Sequence, residues 1–244
     1  MTISVFEDLK TRLNKEFTPI KNKFDYGIHK MPKFCENYLI TPFSMHHNAT
    51  IGLFCANASV YASWKIFPEN FMIKNFTSQS LISRGNFTSM FSHQSALHLY
   101  LNMFCLGSFS HALMGIDISN YKNTKYYTDK SRNMSNEKFL SIYVLSGLIG
   151  SIASSLVIKQ HYGLGASGAI MGLFSYNILN NPDDKYNILG IPYDISGKNI
   201  MIAMLGIHIP LAYLMTQKRV ILNIDWMCHL GGMVGGSLCY FFDN

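Results

Sequence analysis

The stretch Gly165-Ala166-Ser167-Gly168-Ala169 lies where a short polar loop passes into an apolar run, Ile170 to Leu179. Small residues flank one serine there, so another backbone or a substrate can approach its hydroxyl closely. A helix that begins at this point presents free backbone N–H groups beside the same hydroxyl, which suits a nucleophile with an adjacent oxyanion site. The alternative interpretation is a helix-packing face of small residues with a serine cap at its N-terminus.

The composition favours a membrane protein. Hydrophobic residues make up 48% of the 244 residues and charged residues only 14%, whereas an ordinary soluble domain carries roughly 25% charged residues. The net charge is +6, but the basic residues lie in the N-terminal segment and in loops between apolar runs. Orientation by the positive-inside rule explains them better than nucleic acid binding, and it puts both termini on the cytoplasmic or matrix side. We expect contact with membrane lipids and with no nucleic acid.

Six apolar runs follow a polar, basic N-terminal segment. We expect residues 1–46 to be an extension that lies at the membrane interface, and residues 47–244 to form one domain of six transmembrane helices. No run is uniformly apolar, so polar side chains such as Asn102, Asn177 and His229 must face protein or water. The expected fold class is an all-α membrane protein, a compact six-helix bundle with a hydrated interior. The predicted spans are Asn48 to Phe67, Ser95 to Gly115, Phe139 to Ile158, Ala166 to Asn181, Asn199 to Met215 and Trp226 to Phe242.

Ser167 has a potential catalytic partner in His229, which lies early in the sixth predicted span. Both spans carry glycines four residues apart, and such small-xxx-small faces let two helices approach without side chains between them. If these faces meet, the serine and the histidine come within hydrogen-bond reach, and the imidazole can remove the serine proton and later donate it to a leaving amine. The glycines are Gly168 and Gly172 in the fourth span and Gly232 and Gly236 in the sixth.

The sixth span contains no carboxylate, and Asp225 lies just before its start. A Ser-His dyad is therefore favoured over a Ser-His-Asp triad. On the second span, His98 and Asn102 are four residues apart and share one helical face. We expect these two side chains and the Ser167 N–H to stabilise the oxyanion, where the loss of one donor typically costs about 3 kcal/mol of barrier.

Each of these polar residues also has a structural interpretation, since a His or Asn in a membrane helix can simply bond across helices. We assign His111 and His208 to that role because neither has a partner at useful spacing. A haem or metal site built from His93, His98 and His229 is a further alternative, but there is no HExxH motif and no intramembrane carboxylate to support it. The five cysteines are odd in number and lack CxxC spacing, so we interpret them as small buried residues. We expect neither a metal nor a cofactor.

Taken together, these motifs resemble the rhomboid family of intramembrane serine proteases, over residues 91–240. Any one motif is weak, but three in the family's order and on the right spans are strong. They are HxxxxHxxxN at His93, His98 and Asn102, GASG at Gly165 to Gly168, and HxxGxxxG at His229, Gly232 and Gly236.

The resemblance implies the six-helix rhomboid fold and a Ser167–His229 dyad, with an oxyanion site formed by His98, Asn102 and the Ser167 amide. It implies hydrolysis of a transmembrane protein substrate near the end of its helix, with water reaching Ser167 through the polar interior. It also implies that His93 supports the active-site loop and its water. The glycines of the GASG and HxxGxxxG motifs complete this active-site support.

The subtype resembles the mitochondrial presenilin-associated rhomboid-like proteases, in the strings Met90-Phe-Ser-His93 and Gly163 to Met171. That likeness implies an integral protein of the mitochondrial inner membrane. The alternative function is a rhomboid-fold scaffold or an accessory subunit of a larger membrane complex, without proteolytic activity. Rhomboid-like proteins of that kind usually lose the Ser or the His, and this chain keeps both, which favours activity.

Overall fold

The computed structural model describes residues 47–81, 83–115, 134–157, 162–187, 194–217 and 224–243. The predicted N-terminal extension, residues 1–46, lies outside these ranges. Most of the described residues are helical. The helices are α1 (Asn48–Ile66), α2 (Glu69–Phe76), α3 (Gly85–Thr88), α4 (Ala96–Met114), α5 (Asn136–Val157), α6 (Ser167–Asn180), α7 (Gly197–Thr216) and α8 (Trp226–Asp243).

Six of these helices, α1 and α4 to α8, occupy the positions of the six predicted spans, with ends that agree within a few residues. Two of them, α5 and α7, are long and apolar enough to cross a membrane. The crossing of a membrane by all six helices therefore stays a prediction.

The ends of the helices follow from local sequence. Helix α1 gives way to extended backbone at Phe67, where the following Pro68 disfavours a helical conformation. Helix α4 starts after Ser95, whose hydroxyl accepts a hydrogen bond from the backbone N–H of His98 at 3.5 Å. It ends at Gly115, where φ is 80°, a conformation that glycine adopts without cost.

The segment between α1 and α4 is folded more than the sequence indicates. Residues 68–92 lie between the first and second predicted spans, and they form α2, α3 and a 3₁₀ turn, Ser89–Phe91. A buried polar network fixes this segment to α5, because Ser151 Oγ donates to Ser78 Oγ at 2.8 Å and Ser78 Oγ donates to Asn86 Oδ1 at 2.8 Å. Ser78 also pairs with Gly163 in an isolated antiparallel bridge, so the segment reaches the loop that precedes α6.

A small antiparallel pair of strands, not predicted from the sequence, separates α6 from α7. Strand β1 (Lys185–Asn187) pairs with β2 (Asp194–Ser196), with Tyr186 opposite Ile195. The Tyr186 hydroxyl accepts a hydrogen bond from Asn177 Nδ2 at 2.9 Å. A polar residue of the fourth predicted span thus faces protein, as its amide requires.

Helix α6 packs against α4, α5, α7 and α8, and most of its residues are buried. Its Ser175 donates to the carbonyl of Met233 in α8 at 2.8 Å, a further polar contact in the interior. The interpretation of the cysteines as buried residues is wrong for Cys55 and Cys105, which lie exposed on the outer faces of α1 and α4. A thiol is weakly polar and is tolerated on an apolar outer face, so an apolar sequence context did not determine its burial.

Candidate active site

Ser167 is the first residue of α6, and a turn that only glycine adopts readily leads into it. Gly165 has a φ of 125°, and its N–H donates to the carbonyl of Ser89 at 2.9 Å. The first N–H groups of a helix have no intrahelical acceptor, so those of the first turn of α6 remain available beside the half-buried Ser167 side chain. A loop that passes into a helix at this serine is what the GASG stretch predicts.

The glycine faces of α6 and α8 meet. A Cβ on Gly232 would overlap the carbonyl oxygen of Gly168, and a Cβ on Gly236 would overlap the carbonyl oxygen of Gly172. A Cβ on Gly168 would lie 2.6 Å from the Cys228 sulfur. Because Ser167 precedes Gly168 and His229 follows Cys228, this contact brings the serine and the histidine to the same part of the interface.

Among the described residues, Ser167 Oγ forms no hydrogen bond with His229. The hydrogen bond of a catalytic pair often tightens only in the complex with substrate. The Ser167–His229 dyad therefore stays a prediction, supported by the backbone contact of the two helices.

His98 lies directly over the turn that precedes Ser167. A Cβ on Gly165 would lie 3.0 Å from His98 Nε2 and 3.9 Å from Ser167 Oγ, so only a glycine separates the imidazole from the hydroxyl. Asn102 is buried one turn further along α4, and its Nδ2 donates to the carbonyl of His98 at 3.0 Å. One N–H of that amide is thus occupied within α4, which leaves the other for a substrate oxygen.

His93 supports the same loop from behind. Its Nε2 accepts a hydrogen bond from the N–H of Ala166 at 3.4 Å, and its ring packs on that of His98 with centroids 4.7 Å apart. Burial lowers the pKa of the His93 imidazole to about 3, which keeps the ring neutral and able to accept. The segment before it is anchored by Trp64, whose indole N–H donates to Ser92 Oγ at 2.8 Å.

His229 is buried, with 9% of its surface exposed, and its Nδ1 lies 3.2 Å from Nε2 of His208 in α7. His208 thus bonds across helices, as the structural role that we assigned to it implies, but its partner is the proposed base, which the spacing along the sequence does not indicate. The two residues are far apart along the chain, and the sequence pattern does not determine which face of α7 turns toward α8. The one feature of the sequence that indicates a partner for His208 is its place in the middle of an apolar helix, where a histidine side chain needs a polar neighbour.

Asp225 does not orient His229 through the hydrogen bonds that we find for its carboxylate. Its Oδ1 accepts from the backbone N–H of Cys228 at 2.9 Å, and its Oδ2 accepts from the hydroxyl of Ser154 in α5 at 2.7 Å. The carboxylate therefore caps α8 and joins it to α5. His111, the other histidine assigned to a structural role, lies half-buried in α4.

Within the described parts of the chain, no three His, Cys, Asp or Glu side chains are arranged to hold a metal ion. The imidazoles form two pairs, His93 with His98 and His208 with His229. This arrangement combines a hydroxyl at a helix N-terminus, a buried imidazole on the adjoining helix and further N–H donors. It can carry acyl transfer through a serine ester.

Known proteins that are similar to this chain are rhomboid proteins. Residues 126–243 match the family model described as the rhomboid domain. The chain is 27% identical, over 247 residues, to the presenilin-associated rhomboid-like protein, mitochondrial, of Homo sapiens, and 26% identical to that of Mus musculus. Each of these two matches covers 95% of this chain and 59% of the relative. RHOMBOID-like protein 12, mitochondrial, of Arabidopsis thaliana is 26% identical over 215 residues, which cover 79% of this chain and 57% of that protein.

Proposed function

We propose that this chain, whose residues 126–243 match the rhomboid domain, is an intramembrane serine endopeptidase of the rhomboid family with a Ser167–His229 dyad. The observation that carries the proposal is the close contact of Gly168 with Cys228 and of Gly232 with Gly168. This contact holds the N-terminus of α6 against the first turns of α8. The chain spans about 59% of the length of the human and mouse relatives. The proposal therefore rests on the residues of this chain and not on the activity of those longer proteins.

In the proposed reaction, Ser167 Oγ attacks the carbonyl carbon of a peptide bond, and the His229 imidazole accepts the hydroxyl proton. The carbonyl oxygen becomes an oxyanion, which accepts hydrogen bonds from His98, Asn102 and the Ser167 N–H. His229 then donates its proton to the leaving amine, and an acyl-enzyme remains. His229 then deprotonates a water molecule that attacks the ester, and it returns this proton to Ser167 Oγ as the new carboxyl group leaves.

The proposed substrate is a transmembrane protein, cleaved near the end of its helix. The site lies at the start of α6, inside the bundle, so a peptide bond must be unwound from its helix to reach Ser167. Hydrogen bonds within a helix occupy its carbonyl groups, which makes a locally unstable helix end the accessible target.

We propose the mitochondrial inner membrane as the location, with membrane lipids around α5 and α7. The named relatives are described as mitochondrial, and two helices of this chain are long and apolar enough to cross a membrane. Fractionation of mitochondria, with protease protection after rupture of the outer membrane, tests this location. Recovery of the chain with another membrane would contradict it.

A second candidate function is that of a scaffold or accessory subunit of a larger membrane complex. The absence of a Ser167–His229 hydrogen bond among the described residues is compatible with an inactive site. The presence of both residues, with His98 and Asn102 beside them, favours the enzyme.

Reaction with a fluorophosphonate probe separates the two functions. We expect the reconstituted protein to be labelled at Ser167, and Ser167→Ala to abolish the label. Ser237→Ala is the matched control, because that hydroxyl donates to the carbonyl of Met233 within α8. Labelling that persists in Ser167→Ala contradicts the site, and the lack of any label on the folded protein favours the scaffold.

A further inference from the structure

We propose that His208 is a positioning residue of the active site, which holds His229 in the tautomer that can act as a base toward Ser167. The proposal rests on the proposed function and adds a third member to the dyad. His208 lies in α7, with 3% of its surface exposed. Most other residues of α7 are at least partly exposed, so the burial of His208 marks the face of the helix that packs against the protein.

The tautomers of His208 and His229 follow from the Met204 carbonyl, which is the acceptor at the end of their chain of hydrogen bonds. Nδ1 of His208 lies 2.8 Å from the carbonyl oxygen of Met204. A carbonyl can only accept, so His208 Nδ1 must carry a hydrogen. Nε2 of a neutral His208 is then a lone pair, and it accepts a hydrogen bond from its neighbour.

That neighbour is Nδ1 of His229, at 3.2 Å. Since His208 Nε2 accepts, His229 Nδ1 must be the donor, and the hydrogen of a neutral His229 resides there. The other ring nitrogen, Nε2, is left without a hydrogen, which is the state that a general base requires. This relay, which runs from the Met204 carbonyl through His208 to His229, thus selects one of the two neutral tautomers of His229.

Trp226 holds both rings in this arrangement. Its indole ring stands edge-on to His208, with centroids 5.0 Å apart and an interplanar angle of 79°, and edge-on to His229 at 5.8 Å and 77°. The two imidazoles are therefore packed against one aromatic surface as well as bonded to each other. Rotation of either ring would break the hydrogen bond and the contact with Trp226.

In a Ser-His-Asp triad, the carboxylate orients the imidazole and fixes its tautomer. Here the uncharged His208 does the same for His229. In the proposed reaction the serine proton moves to Nε2 of His229, and His229 Nδ1–H continues to donate to His208. His208 neither gains nor loses a proton during turnover. The carboxylate of Asp225 accepts hydrogen bonds from the Cys228 N–H and the Ser154 hydroxyl, whereas the hydrogen bond at His229 Nδ1 is the one with His208.

A purely structural role is the alternative, because the same hydrogen bond joins α7 to α8. Two variants separate the roles. His208→Gln keeps an amide oxygen that can reach the position of Nε2 and accept from His229, whereas His208→Leu keeps only the bulk. Leu205→Ala is the matched packing control, because Leu205 belongs to the same helix and packs on the neighbouring apolar cluster.

The first measurement is the rate of fluorophosphonate labelling of Ser167 in liposomes. We expect His208→Leu to reduce this rate about 10- to 100-fold, the usual range for the loss of a group that orients a site residue. We expect His208→Gln to restore most of it and Leu205→Ala to change it little. Equal losses in His208→Gln and His208→Leu, or in Leu205→Ala and His208→Leu, would overturn the proposal.

The second measurement does not depend on activity. The ring ¹⁵N shifts of ¹⁵N-histidine protein in bilayers report the tautomer of His229, whose signals are assigned by their loss in His229→Gln. We expect a protonated Nδ1 and an unprotonated Nε2 in the wild type. A hydrogen on Nε2 would overturn the proposal even if the protein cleaves peptides. The expected tautomer in a protein that no probe labels would leave the His208 inference standing and remove the proposed protease function.

Discussion

Gly232 of α8 lies against the carbonyl oxygen of Gly168 in α6, so closely that a side chain on Gly232 would overlap it. The two backbones are therefore in direct contact one residue away from Ser167. Because that contact is made by backbone atoms, neither side can yield by a change of rotamer. The position of the proposed nucleophile thus depends on the absence of a single methyl group.

Gly232→Ala should destabilise the bundle and slow the labelling of Ser167. The added methyl must push α6 from α8, and overpacking of this kind costs about 1–3 kcal/mol. Thermal unfolding in detergent measures the first effect, and the rate of probe attachment measures the second. Gly206→Ala in α7 is the control, because a Cβ there meets nothing within 4 Å. Equal behaviour of the two variants would contradict the close contact.

Gly165→Ala tests the turn into α6. Its φ of 125° is unfavourable for alanine, and the new Cβ would lie 2.8 Å from His98 Cε1. We expect a loss of about 1–3 kcal/mol of stability from the strained backbone and a slower reaction of Ser167, since His98 must shift. Gly52→Ala in α1, where a Cβ meets nothing within 4 Å, should be neutral or slightly stabilising. A fully active Gly165→Ala would show that this turn does not position the serine.

His98→Ala should reduce kcat on a transmembrane substrate about 100- to 1000-fold with little change in KM, because an oxyanion donor acts in the transition state. Asn102→Ala should act in the same direction. Ser108→Ala is a control on the same helix, since that hydroxyl donates to the carbonyl of Phe104. A rise in KM with unchanged kcat would assign His98 to substrate binding instead.

Asp225→Ala distinguishes a dyad from a Ser-His-Asp triad. The carboxylate caps α8 and accepts from Ser154, so its removal should cost about 1 kcal/mol of stability, as for other helix caps. Below the unfolding temperature kcat should stay close to that of the wild type. Ser154→Ala should reproduce part of the stability loss. A drop in kcat as large as that of His229→Ala would mean that Asp225 acts on the imidazole.

The sequence predicts the positions of the six long helices because their ends are marked by residues with strong local preferences. Pro68 follows α1, and Pro182 follows the predicted fourth span, which the structure gives as α6. The contact of α6 with α8 could also be foreseen, since glycines four residues apart define a helix face by themselves.

The pairing of His208 with His229 could not be foreseen in the same way. An apolar helix such as α7 carries no strong periodicity that fixes its rotation, so the face that turns toward α8 emerges only from packing. The short helices after α1 were missed for a related reason. The segment that forms them is held by contacts with residues far along the chain, such as those of Ser78 with Ser151 and with Gly163. No local sequence pattern reveals such contacts.

The structure of the fluorophosphonate-treated protein tests the central claim most directly. The account predicts a bond from phosphorus to Ser167 Oγ, a phosphonyl oxygen facing His98 and Asn102, and the ring of His229 beside the modified serine with its Nδ1 on His208. An unmodified Ser167 in a protein that carries the probe elsewhere, or a modified serine with His229 turned away from it, would contradict the account.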